Sequence, residues 1–353
     1  MSDIVSLAAE PLDLPLSEPF EISLGVQHEA ANLLVTVETE SGVTGYGEGS
    51  PLPPVTGETR DAALTTARAA ADVVEGRPVG DYRRLVADLR STFPGMASAN
   101  FAVETAVLDA FCRERGIALS ELFGGTPSPI ESDLTIPIVP PETARERAAD
   151  AVERGFEHLK VKTGNDVTAD VERVVAVAEA APDAALKVDA NQGWTPKETV
   201  RFADRVAERG VRLELVEQPV PASDVAGLAE TRRRVDVPVA ADEAVFTPAD
   251  AIRVVREEAA DVINVKLGKS GPLAVADIAA VARGAGLDLM VGCMLESAVG
   301  IHASAHVVSG LGGFSYVDLD GNRLLAEDVV ETGAGPMHDI EGPGHGVVPG
   351  RPE

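Results

Sequence analysis

Five short apolar runs in the middle of the sequence end in charged side chains, in the order Lys162, Asp189, Glu217, Asp242 and Lys266. Each run is rich in β-branched residues and has the length of a strand, and the gaps between runs carry helical periodicity. The repeat of roughly 24–28 residues suits the strand–helix unit of a parallel barrel. A charged residue that closes a buried parallel strand must lie at the barrel rim, where such folds carry their chemistry. We therefore expect all five side chains at one mouth.

The three acidic residues of this set could hold a metal ion. Asp189, Glu217 and Asp242 offer hard oxygen ligands from neighbouring strands, and like charges in a partly desolvated site are costly unless they are neutralised. Mg²⁺ prefers octahedral oxygen ligation and keeps positions open for substrate oxygens, and Mn²⁺ would also fit. The alternative is a structural network in which the carboxylates pair with strand-end lysines. Three acids on consecutive strands favour the metal site.

The two lysines flank the acidic strands, and this placement indicates a proton transfer. A metal-bound carboxylate substrate between Lys162 and Lys266 would present one face of its α-carbon to each amine. One lysine would remove the α-proton and the other would return it from the opposite face, while the metal stabilises the enediolate. Lys160 shares the strand face of Lys162. Its charge and that of Mg²⁺ would lower the pKa of the lysine base, and it could also bind the substrate carboxylate.

The composition limits the class of protein. With 353 residues, of which 45% are apolar, the chain can bury a barrel of about 250 residues and a smaller domain. The formal net charge of -27 argues against nucleic acid and anionic membranes as partners, and it is typical of proteins that are soluble at high salt. Only two cysteines, Cys112 and Cys293, and a start without a basic or apolar leader favour a reducing cytoplasm.

The fold class predicted from this pattern is α/β, a modified (β/α) barrel with an N-terminal α+β capping domain. We expect the capping domain at residues 1–125, the barrel at 126–322, and a C-terminal segment, 323–353, that returns to the capping domain. Within the capping domain the pattern predicts strands Ala31–Glu40 and Val43–Glu48, helices Arg60–Glu75, Asp81–Leu89 and Ala97–Arg115, and loops Leu16–His28 and Gly49–Gly57.

Two sets of residues that resemble known motifs are interpreted structurally. Gly45, Gly47 and Gly49 suggest a phosphate-binding loop, but no helix starts directly after them, so turn glycines are favoured. His302 and His306 are one helical turn apart, a spacing that can bind zinc. No suitable third ligand accompanies them, and we therefore expect ordinary core or surface histidines.

The strand-end sequences together resemble the enolase superfamily. Lys-Val-Lys, Asp-Ala-Asn-Gln-Gly-Trp, Glu-Gln-Pro, Asp-Glu-Ala and Asn-Val-Lys-Leu occur in the order and at the spacing of its muconate-lactonizing-enzyme subgroup. The resemblance covers nearly the whole chain, and it implies a Mg²⁺-dependent enzyme built from a capping domain and a barrel. The use of a lysine base together with Mg²⁺ is a known property of this superfamily. The motifs are more specific for the subgroup than for one reaction within it.

Two further stretches resemble the dipeptide epimerases of that subgroup. One is Val291–Ser297, and the other contains Asp318 and Asp320. The resemblance implies that these two aspartates hold the α-ammonium group of a dipeptide, and two carboxylates on one strand face would attract such a cation. It also implies substrate contacts for Thr135, Lys160 and Cys293, and supporting positions behind the metal ligands for Asn191, Glu243 and Glu296. The expected enzyme is an isomerase that epimerises the C-terminal residue of a dipeptide.

The capping loops are expected to select the substrate side chain, and here the sequence departs from the Ala-Glu epimerases. Those enzymes carry an arginine in the first capping loop that binds the glutamate side chain, whereas Gly25 occupies the matching place here. We therefore predict a different, neutral second residue. It would be recognised by Leu24, Gln27 and His28, together with the Gly49–Gly57 loop that includes Val55.

Two rival functions stay open at this point. The first is another reaction of the subgroup, namely cycloisomerisation, o-succinylbenzoate synthesis or N-acylamino acid racemisation. These reactions need no ammonium site, and Asp318 and Asp320 would then form only a solvated turn before Gly321. The second rival is a non-catalytic protein that keeps the metal cage. An acid-sugar dehydratase is less favoured, because the base opposite Lys162 is Lys266 rather than a histidine on the seventh strand. We also expect a homo-oligomer.

Overall fold

The computed structural model describes residues 2–350. The chain begins with an antiparallel sheet in the order β1-β2-β3, whose inner face packs on helices. The three strands are β1 (Ile4–Ile22), β2 (Gly25–Thr39) and β3 (Thr44–Gly49). The helices that follow are α1 (Pro53–Thr56), α2 (Arg60–Ala69), α3 (Ala71–Val74), α4 (Tyr82–Thr92), α5 (Ala97–Arg115) and α6 (Leu119–Leu122). The α5 helix ends where the sequence predicts, since Gly116 adopts φ 65° as its C-cap.

Residues 16–28, which the sequence predicts to be a loop, instead form the tip of the β1–β2 hairpin. Strand pairing continues past Pro19 to a turn that ends at Gly25, where φ is 140°. Because β1 lies at the edge of the sheet, a proline there removes no ladder hydrogen bond and is tolerated. The hairpin tip reaches the barrel, where Ser23 Oγ donates to the backbone oxygen of Asn191 at 2.7 Å.

The three glycines of β3 are neither turn glycines nor a phosphate loop. They lie where the strand crosses α5 at very short range. A Cβ added to Gly47 would stand 2.0 Å from the backbone oxygen of Ala102, and one added to Gly49 would stand 2.6 Å from that of Ser98. The turn interpretation was wrong, because only residues without a side chain permit this strand–helix contact.

The second half of the chain forms eight parallel strands in sequence order, which confirms the predicted barrel class. The strands are β5 (Leu134–Ile136), β6 (His158–Lys162), β7 (Ala185–Asp189), β8 (Leu213–Glu217), β9 (Val239–Ala241), β10 (Val262–Val265), β11 (Asp288–Val291) and β12 (Tyr316–Val317). The two edge strands of this sheet meet where Asp133 N donates to Val317 O at 3.1 Å. The helices between the strands are α7 (Pro141–Glu153), α8 (Val167–Ala180), α9 (Pro196–Glu208), α10 (Val225–Arg234), α11 (Pro248–Arg256), α12 (Leu267–Ser270), α13 (Pro272–Ala285) and α14 (Ala298–Leu311).

Local sequence explains why these elements form and which way they face. The α9 helix begins at a capping box in which Thr195 and Glu198 satisfy each other's backbone N–H groups, and α11 has the same arrangement. Along β6, Leu159 and Val161 pack against the outer helices, so the alternating Lys160 and Lys162 lie on the inner face. The same alternation applies along β7. The barrel interior near its mouth is therefore lined by charge.

The C-terminal segment runs back over both halves of the protein. Its short strand β13 (Met337–His338) pairs with β4 (Ile130–Glu131). Further on, His345 N donates to Asp109 Oδ1 of α5 at 2.9 Å. Where the structure describes it, the chain holds no helix with the length and apolar character of a membrane span. The domain boundaries at 125/126 and 322/323 stay a prediction.

Candidate active site

The five charged strand ends lie together at the C-terminal mouth of the barrel. Lys162 at the end of β6 is in register with Asp189 at the end of β7, and Asp189 is in register with Glu217 at the end of β8. Asp242 and Lys266 directly follow β9 and β10. None of the five residues is more than 7% exposed. Burying five charges at one place is costly unless opposite charges lie in contact and compensate each other.

Asp189, Glu217 and Asp242 form a compact carboxylate triad. Each contributes an oxygen, and these oxygens lie within 4.8 Å of one another. The second oxygen of each is held by the protein, through Asn191 N to Asp189 at 2.8 Å, Asn264 Nδ2 to Glu217 at 2.7 Å, and Lys269 Nζ to Asp242 at 2.6 Å. Asn264 and Lys269 were not among the site residues predicted from the sequence. Asn264 could have been found, because it lies two residues before Lys266 and so shares its strand face.

The electrostatics of the triad fit a cation site. Burial alone would raise the pKa of Asp242, but Lys266 and Lys269 hold it well below its usual value. Burial and the neighbouring Asp189 raise the pKa of Glu217 to about 8. The protein's own groups therefore do not stabilise three full negative charges here. A divalent cation would, and three anionic oxygens leave half of an octahedron open, which suits Mg²⁺.

The two lysines approach the triad from opposite flanks. Lys162 Nζ lies 2.7 Å from Asp189 Oδ2, and Lys266 Nζ lies 2.7 Å from Asp242 Oδ2. The strands that carry them, β6 and β10, are separated by the three strands of the triad. Burial would lower the pKa of Lys266, but Asp242 raises it well above its usual value. The lowered pKa expected from the sequence is therefore not produced at Lys266 by the protein groups alone, and it would require the added charge of a divalent cation.

Lys160 has a different environment from the other two lysines of the mouth. Its side chain is fully buried, and its Nζ lies within 3.0 Å of oxygens of Asp189, Glu217 and Asp318. It therefore joins the triad electrostatically to the aspartate pair that follows β12. The substrate contact expected for Lys160 stays a prediction, since this ammonium does not line the cavity described below.

Asp318 and Asp320 lie beyond the end of β12, not within a strand as the sequence predicts. They nevertheless face the same place, because Thr135 binds both. Its N–H donates to Asp320 Oδ2 at 2.5 Å and its hydroxyl donates to Asp318 Oδ1 at 3.3 Å. Asp318 also pairs with Lys160 Nζ at 2.6 Å. Burial and the proximity of Asp318 raise the pKa of Asp320 to about 6, and in residues 2–350 no cationic side chain approaches Asp320 within 4.0 Å.

The lysines and the aspartate pair open into one cavity between the capping sheet and the barrel mouth, with about 640 Å³ of empty space including the part open to solvent. The predicted site residues that line it are Gln27, Val55, Thr135, Lys162, Asn191, Glu243, Lys266, Cys293, Asp318 and Asp320. The predicted specificity residues Leu24, Gly25 and His28 do not line it. Much of the remaining wall is apolar, with Leu52 from the predicted Gly49–Gly57 loop and with Phe20, Ile22, Met294, Leu295 and Leu324, which were not named as site residues from the sequence.

Of the residues expected to support the metal ligands, Asn191 contacts the triad, whereas Glu296 has a different partner. Asn191 does so directly through its backbone, and its side chain donates to Glu243 Oε1 at 3.3 Å. Glu296 instead accepts a hydrogen bond from Ser50 Oγ at 2.8 Å, and burial raises its pKa to about 8. Glu296 thereby connects the barrel mouth to the segment that follows β3.

Comparison with protein families agrees with this geometry. Residues 7–124 match the mandelate racemase / muconate lactonizing enzyme N-terminal domain, and residues 143–352 match the enolase C-terminal domain-like family. The chain therefore belongs to the mandelate racemase / muconate lactonizing enzyme group of the enolase superfamily, as its motifs predict.

Similar proteins cover nearly the full length of the chain. The L-Ala-D/L-Glu epimerase of Thermotoga maritima is 39% identical over 93% of this chain and 95% of its own. The hydrophobic dipeptide epimerase of Citrifermentans bemidjiense is 37% identical over 98% of both chains. The crystal structure of the Enterococcus faecalis dipeptide epimerase with Mg and L-Leu-L-Tyr superposes with a TM-score of 0.93 at 33% identity, over 98% of this chain and 99% of that one.

Proposed function

We propose that this protein is an isomerase, a Mg²⁺-dependent dipeptide epimerase that inverts the α-carbon of the C-terminal residue of a dipeptide. One observation carries the proposal, namely the contents of a single cavity. Lys162 and Lys266 flank the carboxylate triad, and Asp320 faces the same space without a cation partner in residues 2–350. A dipeptide fits this arrangement, because it can place its carboxylate at the triad and its ammonium, one residue away, at Asp320. The relatives named as dipeptide epimerases support the same conclusion.

The mechanism is a 1,1-proton transfer between the two lysines. Asp189, Glu217 and Asp242 would hold Mg²⁺, with Mn²⁺ as an alternative, and the cation would supply charge that stabilises the substrate carboxylate as the enediolate forms. One lysine must be neutral to accept the α-proton, while the opposite lysine is protonated and returns a proton to the other face. The protonation states of the lysines are exchanged after each turnover. The site therefore works in both directions.

Asp320 is the residue proposed to bind the substrate ammonium. Asp318 already pairs with Lys160, whereas Asp320 accepts only the backbone N–H of Thr135 among its described hydrogen bonds. A buried carboxylate without a counterion is costly, and a substrate ammonium would remove that cost. Thr135 would orient both aspartates, and Cys293, which lines the same cavity, would contact the substrate.

The side chain of the C-terminal residue is proposed to be neutral and apolar. The capping part of the cavity wall presents Ile22, Leu52 and Val55, and its polar residues are Gln27, Asn32 and Ser50. Among the residues that line the cavity, the cationic ones are the two catalytic lysines, so a glutamate side chain would find no separate counterion. Gly25 at the hairpin turn agrees with this proposal, and so does the similarity to a hydrophobic dipeptide epimerase.

The rival functions are less well supported by the geometry. Cycloisomerisation, o-succinylbenzoate synthesis and N-acylamino acid racemisation use substrates without an ammonium group, and each would leave Asp320 without a counterion in a buried wall. A non-catalytic metal-binding homologue would not need two lysines on opposite flanks of the triad. We further propose a cytoplasmic homo-oligomer that is adapted to high salt, and the net charge of -27 supports the salt adaptation.

Asp320→Asn is expected to lower kcat/KM for a dipeptide by about 100-fold, because it removes the charge that pairs with the substrate ammonium. Steady-state kinetics with an L,L-dipeptide would measure this loss.

The wild-type kcat/KM should also fall as the pH drops through about 6, since burial and Asp318 raise the pKa of Asp320 to about 6 and only the ionised form holds an ammonium. The exposed Asp183→Asn is the matched control. Undiminished dipeptide activity in the Asp320 variant would favour a rival reaction.

A further inference from the structure

A buried ion pair that the mechanism does not use lies beside the ammonium site. Lys187 Nζ is 2.5 Å from Asp133 Oδ2, and the two side chains are 2% and 0% exposed. Lys187 lies on β7 two residues before Asp189, so it faces the barrel interior. Its ammonium also lies 5.8 Å from the ring centroid of Tyr316 on β12. The pair is therefore enclosed by the barrel rather than exposed in the substrate cavity.

Asp133 is the third member of an acidic cluster with Asp318 and Asp320. One oxygen from each of the three lies within 4.8 Å of the others. Backbone contacts fix this arrangement, since Asp133 N donates to Val317 O at 3.1 Å and Leu319 N donates to Ser132 Oγ at 2.7 Å. The segment before β5 is thus tied to the segment after β12. The backbone of Asp133 is therefore held beside the backbone that carries Asp318 and Asp320.

Two of the three aspartates have a lysine partner, and one of these lysines, Lys160, is shared with Asp189 and Glu217. Three carboxylates at this distance raise one another's pKa unless cations compensate them. Lys160 pairs with Asp318 and Lys187 pairs with Asp133, at 2.6 and 2.5 Å. Asp318 and Asp320 both line the cavity, and Asp320 has no such cation in the part of the chain that the structure describes. Asp320 is therefore the carboxylate of the cluster that is available to an ammonium group.

We propose that Asp133 and Lys187 act as a positioning pair that sets the charge of the ammonium site. This inference rests on the proposed function, because it requires a substrate with an ammonium group. As a neutral pair they leave the charge of Asp320 available to the substrate. Without the Asp133 carboxylate, the Lys187 ammonium would lack a partner and would compete with the substrate ammonium for the remaining aspartates. Without Lys187, Asp133 would be a second carboxylate without a lysine partner beside Asp320, which would favour protonation of the cluster.

The test compares Asp133→Asn, Lys187→Met and the double variant. Two ligands are used, L-Ala-L-Leu as substrate and N-formyl-L-Ala-L-Leu, which lacks the positive charge, as a competitive inhibitor. In Asp133→Asn the KM of the dipeptide should rise about tenfold, while kcat and the inhibition constant of the formyl compound change less than about threefold. In the double variant the KM should return to within about threefold of the wild type. A purely structural defect would weaken both ligands together.

Two outcomes would overturn the inference. One is an equal loss of affinity for both ligands in Asp133→Asn, and the other is a KM in the double variant as high as in the single variant. If Asp133→Asn fails to fold, Lys187→Met carries the test: a weaker affinity confined to the dipeptide supports the inference, and an equal loss for both ligands overturns it. The exposed pair Glu230–Arg234, changed to Gln and Met, is the matched control. A wild-type protein that exchanges no dipeptide α-proton would overturn both this inference and the proposed function.

Discussion

Lys162→Ala and Lys266→Ala are each expected to lower the rate of epimerisation by about 10³-fold or more, because each removes one of the two groups that exchange the α-proton. The rate would be measured by polarimetry with an L,L-dipeptide at saturating Mg²⁺. The two lysines flank the triad at the ends of strands β6 and β10, and neither residue is more than 7% exposed, so bulk water cannot easily replace either amine.

The two lysine variants should also differ from each other in a diagnostic way. Each keeps one base, and each base faces one side of the α-carbon. We expect one variant to exchange the α-proton of the L,L-dipeptide with D₂O and the other to exchange that of the L,D-dipeptide. Lys197→Ala, an exposed lysine of α9, is the control and should behave as the wild type. Epimerisation above a tenth of the wild-type rate in either active-site variant would contradict the two-base mechanism.

Glu217→Gln is expected to be the second most damaging change, with a loss of about 10³-fold in kcat, or about 4 kcal/mol of transition-state stabilisation. The substitution removes one anionic ligand from the centre of the triad and keeps the shape of the side chain. It should also reduce the affinity for Mg²⁺, which can be measured without activity. At a concentration about 100-fold above its Kd, Mg²⁺ should raise the free energy of unfolding of the wild type by about 2.7 kcal/mol.

Thermal unfolding would measure this effect of Mg²⁺ on the wild type. In Glu217→Gln, the same Mg²⁺ concentration should give little or no stabilisation. Glu208→Gln, which changes an exposed residue at the end of α9, is the matched control and should keep the full effect. Removal of the metal by a chelator should abolish wild-type activity, and added Mg²⁺ should restore it. The assignment of the triad as the metal site would be wrong if Glu217→Gln responded to Mg²⁺ as the wild type does.

Much of the barrel could be predicted from the sequence because its strands obey a simple rule. A buried parallel strand that ends in a charged residue places that residue at the rim, and Lys162, Asp189 and Glu217 follow this rule in register. The α5 helix was equally predictable, since Gly116 marks its end. These features depend on local periodicity and on short-range signals, which a sequence carries explicitly.

The capping hairpin was not predictable from the same signals. Pro15 and Pro19 normally interrupt strands, and only the position of β1 at the edge of its sheet makes them acceptable. Which strand lies at an edge is a property of the assembled sheet. As a result, the sequence placed Leu24 and His28 in the substrate cavity, whereas the hairpin presents Phe20 and Ile22 there instead.

The charge pairing inside the barrel was also hidden from the sequence. The alternation along β7 places Lys187 on the same face as Asp189, but its partner Asp133 lies 54 positions away and meets it only when the barrel closes. Lys269 is similar, because its bond to Asp242 depends on the short helix α12 that turns it back into the mouth. Sequence periodicity gives the direction of a side chain, and the closed fold decides what it touches.

The most direct test of the central claim is α-proton exchange by the wild-type protein in D₂O with Mg²⁺ and a panel of L,L-dipeptides, followed by mass spectrometry and NMR. We expect one deuterium at the α-carbon of the C-terminal residue, together with inversion of that carbon. We also expect faster exchange for dipeptides ending in Leu or Val than for L-Ala-L-Glu. No deuterium uptake from any dipeptide, under conditions where Mg²⁺ demonstrably binds the triad, would contradict the central claim.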